Sequence, residues 1–156
     1  MFGTIAILAT AAAGASATPA REITDQWRVD RPLLAAVQNS SGEMFGLDCR
    51  EGTCEYLLVM DAPCMEGVQI AALVNSQIGE AAVRLTCQKS DEFGVLSVDG
   101  VDIGPLISGD RIAFAFVRKG NLIDVARFSL SGASEAIATV RAQAKQETPD
   151  TAAQKP

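Results

Sequence analysis

The stretch Asp48-Cys49-Arg50-Glu51-Gly52-Thr53-Cys54-Glu55 is a short polar segment that contains two cysteines. Apolar runs flank it, Met44 to Leu47 before it and Tyr56 to Met60 after it. Gly52 can adopt the positive φ that loops of this length often need. The stretch therefore predicts a β-hairpin whose strands carry a disulfide beside the turn.

Placing Cys49 opposite Cys54 fixes the register of this hairpin. Side chains alternate between the two faces of a strand, so residues two apart share a face. Leu47 then faces Tyr56, and Phe45 faces Leu58, so both pairs are apolar. Apolar pairs across two strands stabilise a sheet, so the register agrees with the proposed disulfide.

Four cysteines, Cys49, Cys54, Cys64 and Cys87, allow three disulfide connectivities, and spacing alone does not choose among them. We favour Cys49–Cys54 with Cys64–Cys87. In the chain-entropy model the short loop contributes about 2 kcal/mol and the longer loop about 3.5 kcal/mol. The alternative is a four-cysteine zinc site, but the spacing does not match two C-x2-C pairs. Free thiols are the third possibility.

The N-terminus has the pattern of an export signal. Residues 1–17 carry no charge, Ile5 to Ala13 is apolar, and Ala15-Ser16-Ala17 is a small-x-small cleavage sequence. We therefore predict a signal peptide over residues 1–17 and a periplasmic or secreted protein. Export supplies the oxidising compartment that disulfides require. No transmembrane segment is expected in the mature chain.

The remaining sequence predicts one β-rich domain over residues 21–145 and a disordered tail over residues 146–156. Short apolar segments separated by turns every ten or so residues are typical of a sandwich or barrel. Residues 67–74 are apolar on both faces, which predicts a strand covered on both sides, and residues 111–118, also apolar on both faces, are predicted to form a central strand. Ala133, Ile137, Val140 and Ala144 form a helical stripe. The predicted fold is all-β: an antiparallel β-sandwich or barrel of about 7–9 strands with one C-terminal α-helix.

Composition removes several classes of function. The 156 residues include no histidine, which excludes a Ser-His-Asp triad and histidine-ligated zinc. The net charge of −6 argues against non-specific binding of nucleic acid or anionic membranes. Asp99, Asp102 and Asp110 cluster among glycines, but their spacing is not that of a calcium loop and suits turns. No catalytic, cofactor-binding or metal-binding residues are predicted.

One pattern near the C-terminus resembles a known family. Leu106 to Ile112 leads into an apolar strand, Gly120 marks a turn, and Val125 to Ala133 precedes Ala136-Ile137 in the helix. This pattern resembles the end of the invasion-associated locus B family of exported bacterial proteins. The resemblance implies a non-enzymatic periplasmic or envelope protein, linked in some bacteria to host-cell invasion. It implies no catalytic residues.

Three functional hypotheses follow. The leading one is an exported protein without enzymatic activity that binds an unknown protein or envelope component and needs no cofactor. The second is a secreted inhibitor of an enzyme such as a lysozyme or a protease, with the turn from Arg50 to Thr53 as its contact loop. The third is a hydrolase that uses carboxylates alone, although nothing in the sequence selects a pair among the 19 acidic residues.

Overall fold

The computed structural model describes residues 25–118 and 120–147. Within these residues the chain forms nine strands, one 3-10 helix and one α-helix. In chain order the elements are β1 (Arg28–Arg31), β2 (Leu34–Gln38), β3 (Met44–Arg50), β4 (Thr53–Met60), β5 (Gln69–Ser76), β6 (Glu80–Ser90), β7 (Gly94–Asp99), the 3-10 helix (Gly104–Ser108), β8 (Arg111–Arg118), β9 (Leu122–Ser129) and α1 (Ala133–Glu147).

All nine strands belong to one antiparallel sheet, in the order β1-β2-β3-β4-β7-β6-β5-β8-β9. The predicted class, all-β with a single C-terminal helix, is confirmed within the described residues. The predicted signal peptide at 1–17 and residues 148–156 of the predicted tail lie outside the described residues. Helix α1 continues to Glu147, so residues 146 and 147, which were assigned to the predicted tail, are helical.

The β3–β4 hairpin has the predicted register. Cys49 pairs with Cys54, and Leu47 pairs with Tyr56. The strands extend as far as Arg50 and Thr53, which leaves a turn of only two residues. Both turn residues have a positive φ, 50° at Glu51 and 78° at Gly52, as a type I′ turn requires.

Two disulfides hold the chain, and their connectivity is the one favoured from the sequence. Cys49 is bonded to Cys54 beside the β3–β4 turn. Cys64 is bonded to Cys87, which ties the loop before β5 to β6. Backbone hydrogen bonds reinforce the second connection, since the Gly67 N–H donates to the Cys87 carbonyl oxygen at 2.8 Å.

The sheet curls until its two ends meet, which gives it a barrel-like form. The backbone N–H of Trp27 donates to the Ser131 carbonyl oxygen at 2.9 Å. The indole Nε1–H of Trp27 donates to the Ser129 carbonyl oxygen at 3.0 Å. Buried Asn39 completes the closure, because its Nδ2 donates to the Arg127 carbonyl oxygen at 3.2 Å. These bonds join the start of the described chain to its last strand.

The core lies on the inward face of this curled sheet and under α1. Phe45 is fully buried and contacts the rings of Trp27, Tyr56, Phe114 and Phe128. The predicted helical stripe faces this core: all four of its residues are buried. Aromatic and aliphatic side chains from both ends of the sheet therefore pack into one cluster.

The expectation that β5 is covered on both faces is wrong, whereas β8 is a central strand as predicted, between β5 and β9. One face of each strand is buried, with Val74 and Phe114 fully inaccessible. On the opposite face, Leu73 is 44% exposed and Val117 is 51% exposed. No described element packs over these side chains, so an apolar surface faces outward.

Candidate functional site

The residues that the sequence singled out for chemistry have structural roles. All four cysteines are consumed in the two disulfides. Asp99 accepts hydrogen bonds from the hydroxyls of Thr86 and Ser97 at 2.6 and 3.0 Å. Asp102 accepts the backbone N–H of Gly104 at 2.9 Å, as in an Asx turn.

Asp110 lies at the start of β8, where its own backbone N–H donates to the Gln77 side chain at 3.1 Å. The three aspartates thus serve separate turns and strand ends. Among the residues that the structure describes, no group of three or more Asp, Glu or Cys side chains is placed to hold a metal ion.

The clearest candidate site is a groove on the sheet face that points away from the core. It crosses β2, β3, β4 and β7 and has a volume of about 580 Å³. Strand β1 borders it on one side, and the end of β6 borders it on the other. Its floor is aliphatic and consists of Leu34, Met44, Gly46, Leu57, Val59 and Val95.

Gly46 is required by the close approach of β2 to β3. A Cβ atom at this position would lie 2.6 Å from the Ala35 carbonyl oxygen and 3.0 Å from the Ala36 Cβ. The first contact is with backbone, which cannot move aside without disturbing the β2–β3 ladder. The absence of a side chain here keeps the floor of the groove low.

Charged side chains of both signs form the rim of the groove. They are Asp30, Arg31, Asp48, Arg50, Glu55 and Lys89. Arg50 contacts the buried carboxylate of Asp48 at 2.7 Å, and this hydrogen bond raises the pKa of the Arg50 guanidinium. Lys89 contacts Asp91 at 3.1 Å. Within the described part of the chain, Arg31 has no carboxylate within 4.0 Å and remains available to a ligand.

A second, more polar cleft lies where α1 meets the β3–β4 hairpin. Tyr56 and Arg141 line two adjoining depressions of about 460 and 320 Å³, together with Asp102. The Arg141 guanidinium donates to the Tyr56 hydroxyl at 3.5 Å, a long and weak contact. Burial raises the pKa of the Tyr56 phenol; Arg141 opposes this effect and Asp102 adds to it.

Tyr56 is the only tyrosine of the chain, so its ionisation can be followed directly. We expect its phenolate absorbance to develop at higher pH in the folded protein than in urea-unfolded protein, where the pKa is about 10. Since the unfolded phenol loses its proton first, stability falls as pH rises from that value through the folded pKa. Arg141→Gln should raise the folded pKa further, and Arg111→Gln should leave it unchanged. A folded pKa at or below that of the unfolded chain would contradict the geometry.

Sequence reasoning missed the groove, although one signal for it was present. The run from Tyr56 to Met60 is apolar at every position, so both faces of β4 carry apolar side chains. One set, with Leu58, enters the core. The other set, Leu57 and Val59, forms part of the groove floor. The alternation of β3 gives the same result, since Met44 and Gly46 lie opposite in orientation to Phe45 and Leu47.

Two further observations concern the whole molecule. Over residues 25–118 and 120–147, no helix has the length and apolar character needed to cross a bilayer.

Comparison with known proteins gives no match: no family model, no curated protein and no solved structure is significantly similar to this chain. The relationship to the invasion-associated locus B family therefore stays a prediction from the C-terminal pattern.

Proposed function

We propose that this chain is an exported binding protein without enzymatic activity, and that it holds a segment of a partner protein in the groove over β2, β3, β4 and β7. The groove carries the proposal, because it combines an aliphatic floor with a charged rim. Sites that bind ligands tightly usually have this combination of apolar contact area and a few polar groups that fix orientation.

The dimensions of the groove suit an extended segment. It crosses four strands, and neighbouring strands lie about 4.8 Å apart, so its length is roughly 15–20 Å. That length accommodates about five extended residues. Apolar side chains of the partner would cover Leu57 and Val59, and charged groups at either end would meet the rim.

The disulfides support the location outside the cytoplasm. Structural disulfides persist in oxidising compartments and are rare where thiols are kept reduced. Two disulfides in a domain of this size therefore agree with the predicted signal peptide at residues 1–17. The C-terminal resemblance to the invasion-associated locus B family is a second, independent argument for an envelope role.

Site-specific photocrosslinking in the source organism tests this proposal. The full chain, with a C-terminal tag, carries a benzophenone amino acid in place of Val59 in the groove. We expect a discrete protein adduct at this position, and we expect Leu57→Asp to reduce it roughly tenfold through loss of apolar contact. The matched control places the same probe at Met65, which is 75% exposed and lies outside the groove.

The outcomes separate the hypotheses. An adduct at Val59 that is absent at Met65 and sensitive to Leu57→Asp supports binding in the groove. A probe in place of Glu51, at the tip of the β3–β4 turn, reports on the inhibitor hypothesis. If only this probe captures a protein, and that protein is a hydrolytic enzyme, the groove proposal is wrong and the inhibitor hypothesis replaces it. The absence of any adduct at Val59 also contradicts the groove proposal.

A further inference from the structure

The second notable surface is the outward face of β9, β8, β5 and β6, which is separate from the groove. Three large apolar side chains are solvent-exposed here: Leu73 (44%), Val117 (51%) and Ile123 (74%). Val117 and Ile123 are paired across β8 and β9. Contiguous exposed apolar surface of this kind marks an interaction site more often than isolated exposed residues do.

The strand registers place the residues of this face in rows that cross the four strands. One row contains Val125, Ala115, Leu73 and Ala82, in the order β9, β8, β5, β6. Large and small side chains alternate along this row: Val125 and Leu73 are large, and Ala115 and Ala82 are small. The row therefore has raised and recessed positions that another surface could fill.

The neighbouring row has opposite charges at its two ends. It contains Arg127, Ala113, Asn75 and Glu80 in the same strand order. Arg127 and Glu80 lie three strands apart, a distance of about 14 Å, so they do not meet within one chain. Neither has an oppositely charged group within 4.0 Å among the described residues.

These rows are complementary to themselves under a twofold rotation. We propose that this face is the contact surface of a symmetric dimer of this chain, with the twofold axis parallel to the strands and midway between β8 and β5. This rotation lays β9 over the partner's β6 and β8 over the partner's β5, and each row meets its own copy.

This rotation places large side chains over small ones and brings opposite charges of the two protomers together. Arg127 meets the partner's Glu80, and its symmetry mate repeats the contact. Leu73 lies over the partner's Ala115, and Val125 lies over the partner's Ala82. In these two rows the facing residues are complementary in size or in charge, which is the pattern that favours an isologous interface. In such a dimer two sheets pack face to face with their strands nearly aligned, which is a common arrangement of sheets in proteins.

The size of the surface determines how stable this dimer is. Four strands and three rows, the third containing the Val117–Ile123 pair, cover about 19 Å by about 20 Å, or about 380 Å² per protomer, which is below the standard size of specific interfaces and suits only a weak, transient contact. We therefore expect a dissociation constant in the range of about 1–100 µM, not a permanent dimer.

Sedimentation velocity of the full chain, processed by the exporting cell, tests the proposal. We expect a monomer–dimer equilibrium over the range of about 1–100 µM. Arg127→Glu converts two attractive pairs into two repulsive ones and should raise the dissociation constant roughly tenfold. The double variant Arg127→Glu/Glu80→Arg restores opposite charges and should return the constant to within about twofold of the wild-type value.

Further variants separate the interface from a general surface effect. Leu73→Asp, at the centre of the face, should abolish dimerisation, whereas Met65→Asp, at an exposed position elsewhere, should not. Circular dichroism establishes that each variant is folded. A protein that remains monomeric over the whole range overturns the proposal. So does a dimer that is indifferent to Leu73→Asp, or a charge reversal that the double variant does not rescue.

Discussion

Phe45→Ala is expected to lower the free energy of unfolding by about 4 kcal/mol, because removal of a fully buried phenylalanine forfeits its transfer free energy and leaves a cavity. This value lies within the range of about 3–5 kcal/mol for truncation of a buried phenylalanine, and four aromatic rings contact Phe45. Their centroids lie 4.9 Å (Phe114), 5.4 Å (Trp27), 5.7 Å (Phe128) and 5.9 Å (Tyr56) away. These rings lie just before β1 and on β4, β8 and β9, so no single neighbouring element can move to fill the cavity.

Trp27 is the only tryptophan and packs edge-on against Phe45 at 89°, so its fluorescence reports on this core during urea unfolding. Phe93→Ala is the matched control, because Phe93 is 49% exposed and its truncation should change stability by less than about 1 kcal/mol. Phe45→Leu should fall between the two. If Phe45→Ala and Phe93→Ala destabilise the protein equally, Phe45 is not the centre of the core.

The second large effect concerns the two disulfides, which should differ in their contribution. Removing the Cys64–Cys87 bond with a double alanine variant should lower the free energy of unfolding by about 3.5 kcal/mol. Removing the Cys49–Cys54 bond in the same way should lower it by about 2 kcal/mol. The reason is the sequence separation, 23 residues in one case and 5 in the other, because the longer loop restricts the unfolded chain more.

Urea unfolding of both double variants under oxidising conditions measures this difference. The control is wild-type protein unfolded with excess reductant, whose loss of stability should approach the sum of the two effects, about 5.5 kcal/mol. A larger loss from the hairpin disulfide would show that the chain-entropy argument does not describe this protein. In that case native packing around Cys49, which is fully buried, would be the dominant contribution.

Local patterns predicted the parts of the fold that are encoded locally. The β3–β4 hairpin and its register follow from the alternation of side chains around Cys49 and Cys54. The strand with Val83, Leu85 and Cys87 facing inward follows from the same rule, and helix α1 follows from its apolar stripe. In each case one face of the element is apolar and the other polar, so periodicity identifies the buried side.

The rest depends on contacts between distant residues, which periodicity does not reveal. The two apolar faces of β5 suggested a covering layer, but Leu73 on its outward face is 44% exposed, and a surface that binds a partner has the same composition. The sequence Asn39-Ser40-Ser41-Gly42 is typical of a loop, although Asn39 is buried and donates to the carbonyl oxygen of Arg127, 88 residues away. The groove arises from the curvature of the sheet, which no single strand encodes.

The contact between Trp27 and the end of β9 also constrains the order in which this protein can form. Its two bonding partners are 102 residues apart, and the entropy of closing so long a segment must be offset before the contact stabilises anything. When the ribosome has added only the first hundred residues, Ser129 is not yet part of the chain. The carbonyl oxygen that accepts the hydrogen bond from the Trp27 indole is therefore still missing. Completion of the core therefore has to wait until translation is nearly finished.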